Sequence, residues 1–172
     1  MLTFMGLDWD SAPKRAAKLA ALRKYFKTGE PHAFNMLTDT ELSKANASRG
    51  ASLVVNSHGN SSVFAGCDAD TFFSMLKGKG FEEGAFTSIY LMACNISEQH
   101  QDNRPIDTFA KRLRRLFNEA QITCKIYAPR GKLSYCLRKE QKSGQAFWVV
   151  TKMYIKSPER NYPLDEGLLY IQ

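Results

Sequence analysis

The stretches ASLVVNS (51–57) and FTSIYLMAC (86–94) constrain the fold of this chain most strongly. Each is short and almost continuously apolar, and each breaks off into polar residues. A strand with one wet face alternates apolar and polar residues. A run without alternation must be buried on both faces, as in the centre of a parallel sheet. Parallel strands need a crossover between them, and the segment between these two, DADTFFSMLKGKG (68–80), has helical character. Asp68 or Asp70 is placed to cap it, Phe72, Phe73 and Leu76 supply an apolar face, and glycines end it.

The rest of the chain repeats this alternation. MLTFMGL (1–7) reads as a first strand. A helix follows from near Pro13, capped by Asp10 or Ser11, with Ala16, Leu19, Leu22 and Phe26 at helical spacing and Gly29 as its stop. HAFNML (32–37) is a short second strand, and Thr38 and Glu41 have the spacing of a capping box for a helix closing at Gly50. SSVFAG (61–66) reads as a small hairpin or loop. PIDTFAKRLRRLFNEAQ (105–121) carries one apolar stripe: Ile106, Phe109, Leu113, Leu116, Phe117 and Ala120. ITCKIYAP (122–129) is a strand, and 132–156 form a β-hairpin turning at Ser143-Gly144. The expectation is an α/β fold of one domain over 1–172. Its mostly parallel central sheet has helices on both faces, a core over about 1–128 and a C-terminal hairpin over about 130–156.

The chain is 44% hydrophobic, enough for a sizeable core, and no apolar stretch approaches the ~20 residues of a membrane helix. The N-terminal residues lack the basic lead and long apolar segment of a secretory signal. That points to a cytoplasmic protein, or one delivered to a host cytosol. The four cysteines (Cys67, Cys94, Cys124, Cys136) include no C-x-x-C pair, which argues against a zinc ribbon and a disulfide framework. The net charge of +7 suits a polyanionic partner such as nucleic acid, anionic lipid or a polyphosphate, and equally suits simple solubility.

In open parallel sheets, sites gather at the carboxyl ends of the strands. Ser57-His58-Gly59 ends one central strand and Ala93-Cys94 ends the other. If the strands are neighbours, His58 and Cys94 emerge on one rim. A cysteine attacks a carbonyl as its thiolate, and a histidine beside it exchanges the proton. A glycine next to the histidine lets backbone approach a substrate closely.

These residues resemble the catalytic core of the caspase-like clan of cysteine peptidases, over roughly 1–128. The resemblance implies a caspase-like three-layer sandwich, Cys94 as nucleophile and His58 as general acid/base. It also implies an oxyanion hole from the backbone N–H groups of Gly59 and Cys94. The caspase signature Gln-Ala-Cys, followed by Arg or Gln and then Gly, is absent, since the chain reads Met92-Ala93-Cys94-Asn95. LMACNIS and the compact size are nearer to bacterial toxin protease domains, whose basic C-terminal flap binds inositol hexakisphosphate. By that likeness Arg130, Lys132, Arg138, Lys139, Lys142, Lys152 and Lys156 become candidates for a polyanion activator site. No metal or other cofactor is implied for the chemistry.

Other residues have plainer readings. Cys124 and Cys136 fall in predicted strands and are expected in the core. Cys67 is an alternative nucleophile, or a zinc ligand with His58 and Cys94, although a structural zinc site takes four ligands. His32 and His100 are expected at the surface. KRLRR (111–115) is either a phosphate grip or the solvated face of its helix. The polar segment 97–105 is expected to border a substrate cleft or to be an ordinary exposed loop. Asp68, Asp70, Asp102 and Asp107 are candidates for charge in a specificity pocket.

The expected function is cleavage of a protein substrate by a Cys-His dyad, in a bacterial effector or toxin component. Two rivals stand beside it. One is a non-catalytic module holding nucleic acid or another polyanion on its basic surface. The other is a cysteine acyltransferase or deamidase on the same frame.

Overall fold

The computed structural model describes residues 2–5, 12–47, 50–94, 97 and 107–172; for 2–5 and 12 it gives backbone only. The elements in chain order are β1 (Leu2–Met5), α1 (Ala12–Phe26), β2 (His32–Ala33), β3 (Ser52–Asn56), α2 (Ala69–Gly78), β4 (Ser88–Met92), α3 (Phe109–Glu119) and β5 (Lys125–Pro129). They continue with β6 (Lys132–Lys142), β7 (Gln145–Lys156), β8 (Asn161–Pro163), α4 (Leu164–Gly167) and β9 (Leu168–Ile171). One sheet has the order β2-β1-β3-β4-β5-β9. Its first five strands run parallel and β9 closes the edge antiparallel. A second, antiparallel sheet has the order β6-β7-β8.

The two apolar runs are central neighbours, as their composition requires. β3 pairs with β4 from Ser52↔Ser88 to Asn56↔Met92. Side chains of a strand point alternately to its two faces. Leu53, Val55, Ile89, Leu91, Ile126 and Ala128 accordingly face α2 and α3 in one core, with Phe72, Leu76, Phe109, Leu113 and Phe117. Val54 and Met92 face the other side, where they meet Leu22 and Phe26 of α1 and Leu133 and Ile155 of the second sheet. Helices therefore cover both faces, as the alternation of elements predicts. On the α1 side, however, half of the cover is the β6–β7 hairpin. It is part of the core rather than an appendage. Gly131 permits this docking, because a Cβ there would lie 2.4 Å from the Lys156 carbonyl oxygen.

Asp68 caps α2, accepting from the Thr71 N–H at 2.8 Å. Thr108 caps α3, so this helix starts later than the stretch from Pro105 suggested. Ile106 and the proposed caps Asp10 and Ser11 lie outside the described residues. In α1 it is Ala17, not Ala16, that is buried, and Ala120 is exposed beyond the end of α3.

The helix expected over 38–50 is absent: the described part of this segment is a series of turns. Thr38 and Glu41 do touch, side chain to side chain at 3.1 Å. But local turn bonds are interrupted by partners from elsewhere, which take Leu42 N–H (the Lys79 carbonyl) and Lys44 N–H (the Glu82 carboxylate), both at 2.9 Å. The strand expected over 32–37 shrinks to His32–Ala33 and turns into a 3-10 helix.

Candidate functional site

The pairing of β3 with β4 places His58 and Cys94. Its last pair is Asn56↔Met92, and Ser57 N–H still reaches the Met92 carbonyl at 3.3 Å. His58 and Cys94 stand at equivalent positions just beyond, at the carboxyl ends of adjacent parallel strands. Neighbouring strands lie ~4.8 Å apart, so the two side chains share one rim. They line the same cleft, about 130 Å³, with Lys18 of α1, Asn56, Ser57, and Lys132, Leu133 and Tyr135 of β6.

The loop that presents His58 is built around one buried ring. Phe64 is fully buried and packs on Phe72 at 5.2 Å and Phe109 at 5.5 Å. Around it the chain folds back: Ala65 N–H donates to the His58 carbonyl and Asn60 N–H to that of Val63, both at 2.9 Å. Asn60 Oδ1 accepts from the Ser62 and Val63 amides. Gly59 and Phe64 thus face each other as a pair whose ladder bonds come from their neighbours, and the Gly59 amide stays out of the ladder. Beyond Cys94, Ser97 Oγ donates to the Pro129 carbonyl at 2.5 Å, tying the exit of β4 to β5.

The Cys94 thiol is half-buried and donates weakly to the Leu133 carbonyl, at 3.8 Å. Burial pushes its pKa above the ordinary thiol value, while the ammonium groups of Lys132 and Lys18 pull it back. The resting sulfur is therefore a thiol at neutral pH. It becomes a nucleophile only when its proton is taken, and His58 is the titratable base on the same rim. A Lys132→Met variant is expected to move the pH midpoint of Cys94 alkylation upward, because a cation favouring thiolate is gone while burial persists. Iodoacetamide rates measured across pH check this; an unmoved midpoint would show that Lys132 does not act on the sulfur.

Lys18 was hidden in the sequence among the cations of α1. Its ammonium lies 5.1 Å from the Tyr135 ring centre, at the wall formed by helix and hairpin. The Ser57 hydroxyl is buried and, among the described residues, has no hydrogen-bond partner. Among the described residues lining the cleft, Lys18 and Lys132 carry formal charge and none is a carboxylate.

The other candidates fall elsewhere. Cys67 donates its S–H to the Phe64 carbonyl at 3.2 Å and does not line the cleft. Burial and the nearby Asp68 raise its thiol pKa. Among the described residues no three His, Cys, Asp or Glu side chains come together as metal ligands. Cys124 is buried, just ahead of β5, and burial pushes its thiol up to about 12. Cys136, expected in the core, is exposed. Strand alternation explains it: Leu133 and Tyr135 face inward, so Cys136 must face out.

The basic candidates of the hairpin are spread along it. Lys132 is at the cleft, and Arg130 lies over the Tyr162 ring at 4.5 Å. Arg138 pairs with Glu140, and Lys152 sits 5.8 Å over Tyr154. Lys139 stands opposite Trp148, and Lys142 is beside the turn opposite Gln145. In KRLRR, Arg112 pairs with Asp70 at 2.5 Å, Arg115 with Asp107, and Arg114 donates to the Cys124 carbonyl at 2.8 Å. This run ties α3 to its surroundings, and Asp68, Asp70 and Asp107 serve as cap and ion-pair partners rather than as pocket charges. His32 is exposed. His100, Asp102 and most of the segment 97–105 lie outside the described residues. Among those described, no helix is long and apolar enough to cross a membrane.

No family model, curated protein or solved structure matches this chain.

Proposed function

We propose that the chain is a cysteine endopeptidase of the caspase-like kind, acting through Cys94 and His58. The observation that carries this reading is the shared cleft, in which a half-buried thiol and an imidazole are delivered side by side by two adjacent parallel strands. The strand order and the Gly59 amide outside the ladder support it further.

In this mechanism the Cys94 S–H proton passes to His58 as sulfur attacks the carbonyl carbon of a substrate peptide bond. The amide N–H groups of Gly59 and Cys94 hold the oxyanion. The C–N bond then breaks, and His58 gives its proton to the leaving amine. A thioester remains on Cys94. Water attacks it and gives a proton to His58, and the C–S bond breaks. The carboxylic acid departs, and the sulfur recovers the proton from His58.

The test is product analysis on a peptide library, with wild type and Cys94→Ala compared. Cut chains with new amino termini, formed by wild type alone, are the expected outcome. Intact peptides carrying a mass shift would replace hydrolysis by acyl transfer or deamidation. Products formed equally by Cys94→Ala would remove Cys94 from the chemistry.

A further inference from the structure

Away from this cleft, on the side of the central sheet that carries α1, aliphatic residues give way to tyrosines. Tyr90 of β4 stands opposite Tyr127 of β5, which stands opposite Tyr170 of β9. Phe26 continues the row: ring centres are 4.9 Å apart for Phe26–Tyr90, 4.8 Å for Tyr90–Tyr127 and 5.8 Å for Tyr127–Tyr170. A groove of about 420 Å³ opens here, lined by Tyr25, Phe26, Tyr90, Tyr127, Asp165 and Leu168. Tyr25 is 40% exposed, so the groove is accessible.

Among the described residues, Asp165 is the only formal charge in that lining. Among the described residues it makes no ion pair, although its neighbour Glu166 reaches Arg160 at 3.7 Å. Its charge is felt within the groove: burial, Asp165 and Tyr90, in that order, raise the pKa of the Tyr25 phenol. Lys152 lies in the adjoining groove, which shares Tyr25 and Asp165, and its ammonium is 5.8 Å from the Tyr154 ring centre. A chain of net charge +7 thus has a groove that gathers four aromatic rings and a carboxylate which, among the described residues, has no ion-pair partner and no cation beside it in the lining.

We propose that this groove binds the guanidinium of an arginine side chain on a partner polypeptide. Guanidinium is planar and weakly hydrated, lies well against aromatic rings, and matches a carboxylate with two parallel N–H donors. An anionic ligand would meet Asp165 with like charge. An apolar one would bury the carboxylate and phenol hydroxyls without partners. The site stands apart from the Cys94 cleft and does not depend on the peptidase reading.

The experiment titrates the protein with acetyl-Gly-Arg-Gly-amide and with its citrulline counterpart, following tyrosine ring resonances by NMR. Citrulline keeps the shape and removes the charge. The arginine peptide is expected to saturate with shifts centred on Tyr25 and Tyr127. The citrulline peptide, and the arginine peptide on Asp165→Asn, should bind ~10-fold more weakly or worse, the loss of one charge-assisted pair. Lys152→Met should bind the arginine peptide at least as well as wild type. Equal affinity for the two peptides, unchanged binding by Asp165→Asn, or shifts centred away from this groove would each overturn the assignment.

Discussion

Replacing Phe64 by alanine is expected to destabilise the fold by ~3–5 kcal/mol, the range for removing a fully buried aromatic ring. The ring packs between α2 and α3 through Phe72 and Phe109, and it is the largest buried side chain of its loop. The loss should extend beyond stability. The loop from Ser57 to Cys67 closes around Phe64 by the bonds from Ala65 to His58, from Asn60 to Val63 and from Phe64 to Cys67. Without the ring those bonds lose their anchor, and His58 loses its fixed position on the rim. Denaturant unfolding measures the first effect. The rate of Cys94 alkylation, taken where the variant is still folded, measures the second. Phe64→Leu separates them: it keeps most of the buried volume and should retain the loop and most of the reactivity. A Phe64→Ala variant as stable as wild type would mean that the loop is held by other means.

The second large effect belongs to His58. If it transfers the proton in both half-reactions, His58→Ala should lower peptide turnover ~10²–10⁴-fold, the usual contribution of a positioned acid/base. The stability should barely change, because His58 is exposed. The burial that keeps Cys94 protonated makes this dependence steep. A thiol already ionised would attack without help, whereas this one must first give up its proton. Turnover by His58→Ala should therefore recover partly as pH is raised, when hydroxide takes over the deprotonation. A variant retaining wild-type turnover at neutral pH would show that another base serves Cys94.

The parts of the fold legible in the sequence were those fixed by local pattern. SLVVN and SIYLM could only be doubly buried strands, and the residues ending them could only lie on the strand-end rim, so His58 and Cys94 were found together. Asp68 and the stop after Gly78 bound α2 by local chemistry. What escaped depended on distant partners. The segment after Thr38 has the spacing of a capping box, but Lys79 and Glu82 take the amides of Leu42 and Lys44, and no local signal shows that. The short strand LLYI closes the sheet by pairing with β5, which only the three-dimensional register decides. The cleft itself is half a product of docking. Lys18 and Tyr135 belong to elements far apart in the chain, and each looks like an ordinary surface residue until the hairpin is laid beside α1. Cys136 was different: the inward Leu133 and Tyr135 already implied its outward position by alternation.

The most direct measurement is thiol labelling with limiting iodoacetamide, mapped by mass spectrometry in wild type and His58→Ala, both carrying Cys136→Ser to remove the exposed thiol. The account predicts that Cys94 is labelled well ahead of Cys67 and Cys124, and that this lead disappears without His58. Cys124 should stay unlabelled throughout, since burial holds its thiol up to about 12. A Cys94 that is inert in wild type, or that reacts equally fast with and without His58, would contradict the claim that these two residues form one reactive site.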